Sequence, residues 1–129
     1  GAIMNLEEIN ILSTIIEDLY GSAYEPYAGS VKCIMKITGE NRLSLTCMMI
    51  VNMGNRSEMQ QASRDSETSL KKISKDCLKN VKKSFKDKAG RALKTKEVSS
   101  DTSVELMNYH AYSAKGTCLV RQKHEFEIS

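Results

Sequence analysis

Seven lysines recur between Leu70 and Leu93 at positions that place them together on one side of a helix. Lys71, Lys72, Lys75, Lys79, Lys82, Lys83 and Lys86 are interleaved with Leu70, Ile73, Cys77, Leu78, Val81, Phe85 and Ala92. The spacings of three and four among these apolar residues mark the opposite, buried face. The chemistry such a lysine face offers is charge neutralisation, because ammonium groups laid along a phosphate backbone release condensed counterions. All seven are lysine and none is arginine, so they supply point charges without the forked geometry that reads guanine. Any nucleic-acid contact is therefore expected to be non-specific. The arrangement also has a cost. Lys71/Lys75, Lys75/Lys79, Lys79/Lys83 and Lys82/Lys86 are like-charge pairs one turn apart, together worth ~1–2 kcal/mol of repulsion. Glu67, one turn before Lys71, is the obvious compensating pair. A solvated face, or one met by an acidic segment, is the competing reading.

A second group with chemical potential is Asn108, His110, Gln122 and His124. Strand alternation places these polar residues on a face whose ends are apolar, and a hairpin turning at Ala114-Lys115-Gly116 sets Asn108 opposite Gln122. They could floor a small pocket with a histidine as acid or base. No carboxylate or nucleophile is placed beside them by spacing, so a satisfied polar cluster is the stronger expectation. Four cysteines, Cys33, Cys47, Cys77 and Cys118, show no CxxC spacing, which argues against a zinc site and a disulfide scaffold. Cys33 and Cys47 are expected to face each other, most simply as small buried hydrophobes. Tyr20, Tyr24, Tyr27, Tyr109 and Tyr112 could stack bases, but loop packing explains them better. No cofactor or metal motif is read, and no glycine lies at a strand-to-helix junction that would cradle phosphate.

The net charge of +3 on 129 residues hides an uneven distribution. Residues 1–30 contain Glu7, Glu8, Glu17, Asp18 and Glu25 without a basic residue, whereas residues 71–96 hold eleven Lys and Arg against Asp76 and Asp87. Opposite charge blocks steer partners or satisfy one another within an assembly. The length suits one domain, 1–129, with one core. No apolar run approaches the ~20 residues of a membrane span. The acidic N-terminal segment has no secretory character, and a reducing, cytoplasmic setting is expected from the cysteine usage.

These side chains need elements to hold them. Asn5-Leu6-Glu7-Glu8 reads as a capped helix start, with Met4 able to staple onto Ile9, and the helix runs to Tyr20. Residues 20–30 form a turn-rich connector containing Pro26. Val31–Thr38 and Arg42–Val51 alternate, joined by Gly39-Glu40-Asn41 with Asn41 left-handed. This hairpin leaves Ile34, Met48 and Ile50 on its outer face, more apolar surface than a solvated face usually carries. Ser57-Glu58-Met59-Gln60 carries capping-box logic for a second helix reaching Ala89. That helix would be ~50 Å long, against a domain diameter of ~36 Å. It is expected either to overhang, its weakly apolar start with Met59 and Ala62 covered by a second copy, or to break near Ser63–Ser69. After a connector at Gly90–Thr102, Ser103–Ser113 and Thr117–Ile128 form a second hairpin.

The predicted fold is α+β: a two-layer structure in the order α-β-β-α-β-β, with one four-stranded antiparallel sheet made of two hairpins and the long helix across one face. Three functional expectations follow. The first is a non-enzymatic, self-associating structural or assembly protein, a homo-oligomer using Ile34, Met48, Ile50, Met59 and Ala62. The second is a non-specific nucleic-acid-binding module using the seven lysines. The third, weakest, is a small enzyme with a pocket at Asn108, His110, Gln122 and His124.

Overall fold

The computed structural model describes residues 3–21, 31–110 and 115–129. Helix α1 spans Leu6–Tyr20, strand β1 Val31–Gly39, strand β2 Arg42–Met53, helix α2 Met59–Ala89, strand β3 Thr95–His110 and strand β4 Lys115–Ile128. The four strands form one antiparallel sheet in the order β1-β2-β4-β3. The order α-β-β occurs twice along the chain, and the second strand of each unit meets the other at the centre of the sheet. This is the α+β architecture that the periodicities predict.

Each element begins and ends for local reasons. At α1, the Glu8 N–H donates to Asn5 Oδ1 at 2.8 Å and the Asn5 N–H to Glu8 Oε1 at 3.1 Å, the reciprocal capping box. Met4, Leu12, Ile15 and Ile16 are buried. The first hairpin turns as expected, with Asn41 at φ 55° and Cys33 directly across from Cys47. The start of α2 differs from expectation. Asn55, not Ser57, caps: its Oδ1 accepts from the Ser57 N–H at 3.1 Å and opens a single 3-10 turn, Arg56–Glu58, that leads into the helix. At the other end Gly90 adopts φ 76° and closes the helix with its N–H on the Lys86 carbonyl, the left-handed stop that glycine favours. Ala92 therefore lies beyond the helix, exposed, and does not extend the apolar stripe.

Helix α2 neither breaks at Ser63–Ser69 nor needs a second molecule to cover its start. Ser66 is buried, and Met59 and Ala62 pack against the core. The reason lies in the strands. α2 crosses all four strands, and these are long: β3 has 16 residues, about 53 Å at ~3.3 Å per residue, against about 46 Å for the helix. Residues 95–102, expected as connector, are the first half of this strand. Their sequence, Thr95-Lys96-Glu97-Val98-Ser99-Ser100-Asp101-Thr102, lacks an apolar period because an edge strand needs only its backbone pairing, and most of its side chains are exposed. Two register shifts in β3, between Glu97 and Ser99 and between Leu106 and Asn108, leave Val98 and Met107 without partners. These are bulged residues, and both are exposed large hydrophobics.

The register of the second hairpin is corrected accordingly. Asn108 pairs with Thr117, and Gln122 pairs with Thr102. The turn that sequence placed at Ala114-Lys115-Gly116 lies elsewhere: Lys115 and Gly116 already pair within the sheet with His110 and Tyr109, while Ala114, like Tyr24, Tyr27 and Tyr112, lies outside the described residues. The core fills the space between the sheet and both helices, with Leu43, Leu45, Leu70, Val81, Phe85 and Val120 fully enclosed. On the opposite face Met48 is 8% exposed and Leu119 1%, while Ile34 and Ile50 are half-buried. The outer apolar group is thus already largely covered within the single chain.

Candidate functional site

The outer face of α2 is the largest feature of uniform chemistry. Its inward residues, Ser66, Leu70, Ser74, Cys77, Val81 and Phe85, are buried against the sheet. At about 100° per residue, the seven lysines fall within an arc of about 120° on the other side, spread over about 22 Å of axis. Lys71, Lys72, Lys75, Lys79, Lys83 and Lys86 are exposed and Lys82 is half-buried. Lys71 reaches Glu67 at 3.6 Å. Among the described residues the other six form no ion pair. The acidic groups of α1 do not neutralise them, although α1 lies beside α2: Glu8 instead bonds Arg91, which also stands 5.4 Å over the Phe85 ring. The Arg91 guanidinium and the Asn5 backbone together hold the Glu8 carboxyl below its ordinary range. Beside the lysines a cleft of about 770 Å³ is lined by Asp76, Lys79, Asn80, Lys82, Lys83, Lys86, Ala92 and Leu93. It has a cationic rim and an apolar floor.

The four residues expected to share a pocket are separated. Asn108 is exposed beyond the second bulge. His110 pairs with Lys115 in the sheet, and its side chain lies outside the described residues. Gln122 and His124 do come together, under α2. Gln122 is fully buried, and its Nε2 donates to the Glu67 carbonyl at 3.3 Å and to Thr102 Oγ1 at 3.2 Å. That fixes the amide, so Oε1 faces His124 Nε2 at 2.7 Å. His124 Nδ1 lies 2.5 Å from Glu97 Oε1, and Ser74 Oγ lies 3.2 Å from Nε2.

Glu97, His124 and Ser74 thus stand in the linear order of an acid, a base and a nucleophile, at the floor of a cleft of about 390 Å³ also lined by Lys71, Lys75, Leu78, Ser100 and Phe126. The hydrogen bonds argue against that chemistry. Ser74 Oγ donates its proton to the Lys71 carbonyl at 2.9 Å. His124 Nε2 is shared between Ser74 Oγ and the Gln122 amide oxygen, which is the nearer of the two. The group reads as a filled polar joint between helix and sheet, with every buried side-chain polar atom among the described residues partnered. Sequence spacing could not supply Ser74, Glu97, Thr102 or Glu67, because each reaches this joint from another element.

A third cluster joins residues that sequence had left apart. Cys77 descends from α2 onto the Cys33/Cys47 pair, and the three sulfurs lie within 4.8 Å of one another, all buried. Hydrogen bonds from Cys33 and Cys47 hold the Cys77 thiol low. Those contacts and burial hold Cys47 high. Cys118 is buried apart from them, and burial raises it.

These features define a class only: an α+β protein with an unneutralised cationic helix face. No protein-family model matches the chain, and neither a curated protein nor a solved structure is significantly similar to it. No helix among the described residues is long and apolar enough to cross a membrane.

Proposed function

We propose that this protein is a non-enzymatic binding module that engages polyanions, a nucleic-acid backbone foremost, through Lys71, Lys72, Lys75, Lys79, Lys82, Lys83 and Lys86 without reading sequence. The observation that carries this reading is the absence of compensation. Six lysines crowd one arc of α2 with no acidic partner among the described residues. Repulsion along the helix is relieved when phosphates replace the small counterions. Titrating labelled single- and double-stranded DNA and RNA with the protein at two salt concentrations tests it. Binding to all of them at low salt, steeply weakened at high salt and indifferent to sequence, is expected. No binding at low salt removes the proposal.

Self-association as a structural or assembly component is the second reading. It is favoured by the adjacent Ile3 and Leu6, 79% and 74% exposed. Leu6 also lines a shallow apolar dent with Ile11 and Thr14. The group Ile34, Met48 and Ile50 supports it less, being mostly covered already. Sedimentation over a hundredfold range of concentration separates the two readings, since a constant monomer leaves only the first.

A further inference from the structure

We propose that Cys33, Cys47 and Cys77 form a three-sulfur site for a soft monovalent d10 metal ion, Cu(I), between β1, β2 and α2. Three observations carry it. The sulfurs come from three elements yet lie within 4.8 Å of one another. A metal bonded to three sulfurs at ~2.3 Å in a plane holds them about 4 Å apart, so the cluster needs only a slight contraction. The donor set is complete at three: among the described residues no histidine, carboxylate or fourth cysteine joins the group. Structural zinc is almost always four-coordinate, whereas soft thiolates select Cu(I) and tolerate fewer ligands. Finally the site is enclosed but near an edge, with Cys33 8% and Cys77 7% exposed. There the Tyr20 hydroxyl meets the Cys77 carbonyl at 3.5 Å, and the Asn80 amide donates to that hydroxyl at 3.4 Å. Tyr20, the last residue of α1, thus stands at this edge of the site.

Binding needs no oxidant or reductant when Cu(I) itself is supplied. Each S–H that becomes a ligand gives up its proton to solvent as its sulfur lone pair binds the metal. Cysteines that merely fill apolar space are the alternative, and they bind no metal selectively.

The test uses the full chain, reduced and oxygen-free, titrated with the acetonitrile complex of Cu(I) against a competing bathocuproine chelator. Near-ultraviolet charge-transfer absorption and X-ray absorption spectroscopy report the ligands. One equivalent per chain is expected, with three sulfur neighbours and no nitrogen or oxygen. Cys77→Ala and Cys33→Ala weaken binding by at least about 100-fold, the upper end of what a merely supporting contact contributes. Cys118→Ser changes nothing. Circular dichroism of each variant guards against unfolding, and a rise in the wild-type melting temperature with Cu(I) provides a reading that needs no variant. Failure of the wild-type chain to compete for copper overturns the proposal. So does copper bound equally by the folded Cys77→Ala chain, or Zn(II) held as tightly as Cu(I).

Discussion

Replacing Lys79 by glutamine should make the protein more stable and its polyanion binding weaker. Lys79 is exposed, pairs with no acidic group among the described residues, and sits one turn from both Lys75 and Lys83. Its removal abolishes two repulsive pairs, worth together ~0.4–1 kcal/mol at low salt, and one attraction to Asp76 three residues before it, worth ~0.2–0.5 kcal/mol, for a net gain of about 0.2–0.5 kcal/mol. Glutamine and lysine have nearly equal helix propensity, so little is lost in exchange. In a chain of 129 residues this raises the melting temperature by about 1–3 °C. The gain should fade toward 1 M salt, where screening shortens to about 3 Å. Binding moves the other way. If about five of the seven lysines on the arc touch phosphates together, the logarithm of affinity falls with the logarithm of salt at a slope of about −3.5 to −4.5. Affinity then drops ~100- to 500-fold between about 50 and 200 mM salt. Lys79→Gln should make that slope shallower by about 0.7–0.9 and weaken low-salt binding several-fold. Fluorescence anisotropy with a labelled oligonucleotide measures the slope, and urea denaturation on the same preparations measures stability. A variant that gains stability while its affinity and slope stay unchanged would show that the lysines serve only the solvent, and the reasoning would fail.

Three further outcomes are expected. Gln122→Ala leaves the Glu67 carbonyl, the Thr102 hydroxyl and the His124 ring facing a void. It should cost ~2–4 kcal/mol in urea denaturation, and a loss under about 1 kcal/mol would contradict the network. Gly90→Ala should cost ~1–2 kcal/mol from the left-handed backbone alone, because an added Cβ meets nothing within 4 Å at φ 76°; Gly90→Asn should cost less. Glu8 has its folded-state proton affinity depressed by Arg91 and the Asn5 backbone. Its stabilisation is therefore present above the unfolded carboxyl range and is lost as pH falls through the lower, folded value. Glu8→Gln should be less stable than wild type at pH 7, with the difference closing as the medium is acidified, as denaturation at neutral and acid pH will read.

The elements whose residues alternate or recur in apolar type were legible in the sequence. Asn5 and Glu8 announced α1, Asn41 announced the first turn, and the Cys33–Cys47 register followed from it. What escaped was set by pairing across distance. The polar half of β3 has no apolar period because its backbone, not its side chains, holds it to β4. The second register was misplaced for another reason: the turn was set at Ala114-Lys115-Gly116, whose Lys115 and Gly116 already belong to β4, so Asn108 was drawn toward Gln122, whose partner is Thr102. A compact sphere of the expected diameter, which takes no account of long strands, made α2 look too long for its domain and suggested a second copy to cover Met59 and Ala62. The lysine arc was fully visible, since one helix carries all of it. The meeting of Cys77 with Cys33 and Cys47, and of Ser74 and Glu97 with His124, was not, since each depends on where α2 crosses the sheet.

The two interruptions in β3 have a consequence for how molecules of this protein can meet. A strand from another molecule that aligns with one stretch of this rim falls out of phase at Val98 or Met107. Lys96, Glu97, Asp101 and Glu105 add charge along the same border. Such a margin is a poor template for main-chain polymerisation. Concentrated solutions should resist fibril growth along this edge, and an assembly that meets through it must be held by side chains, where a single substitution can dissolve it.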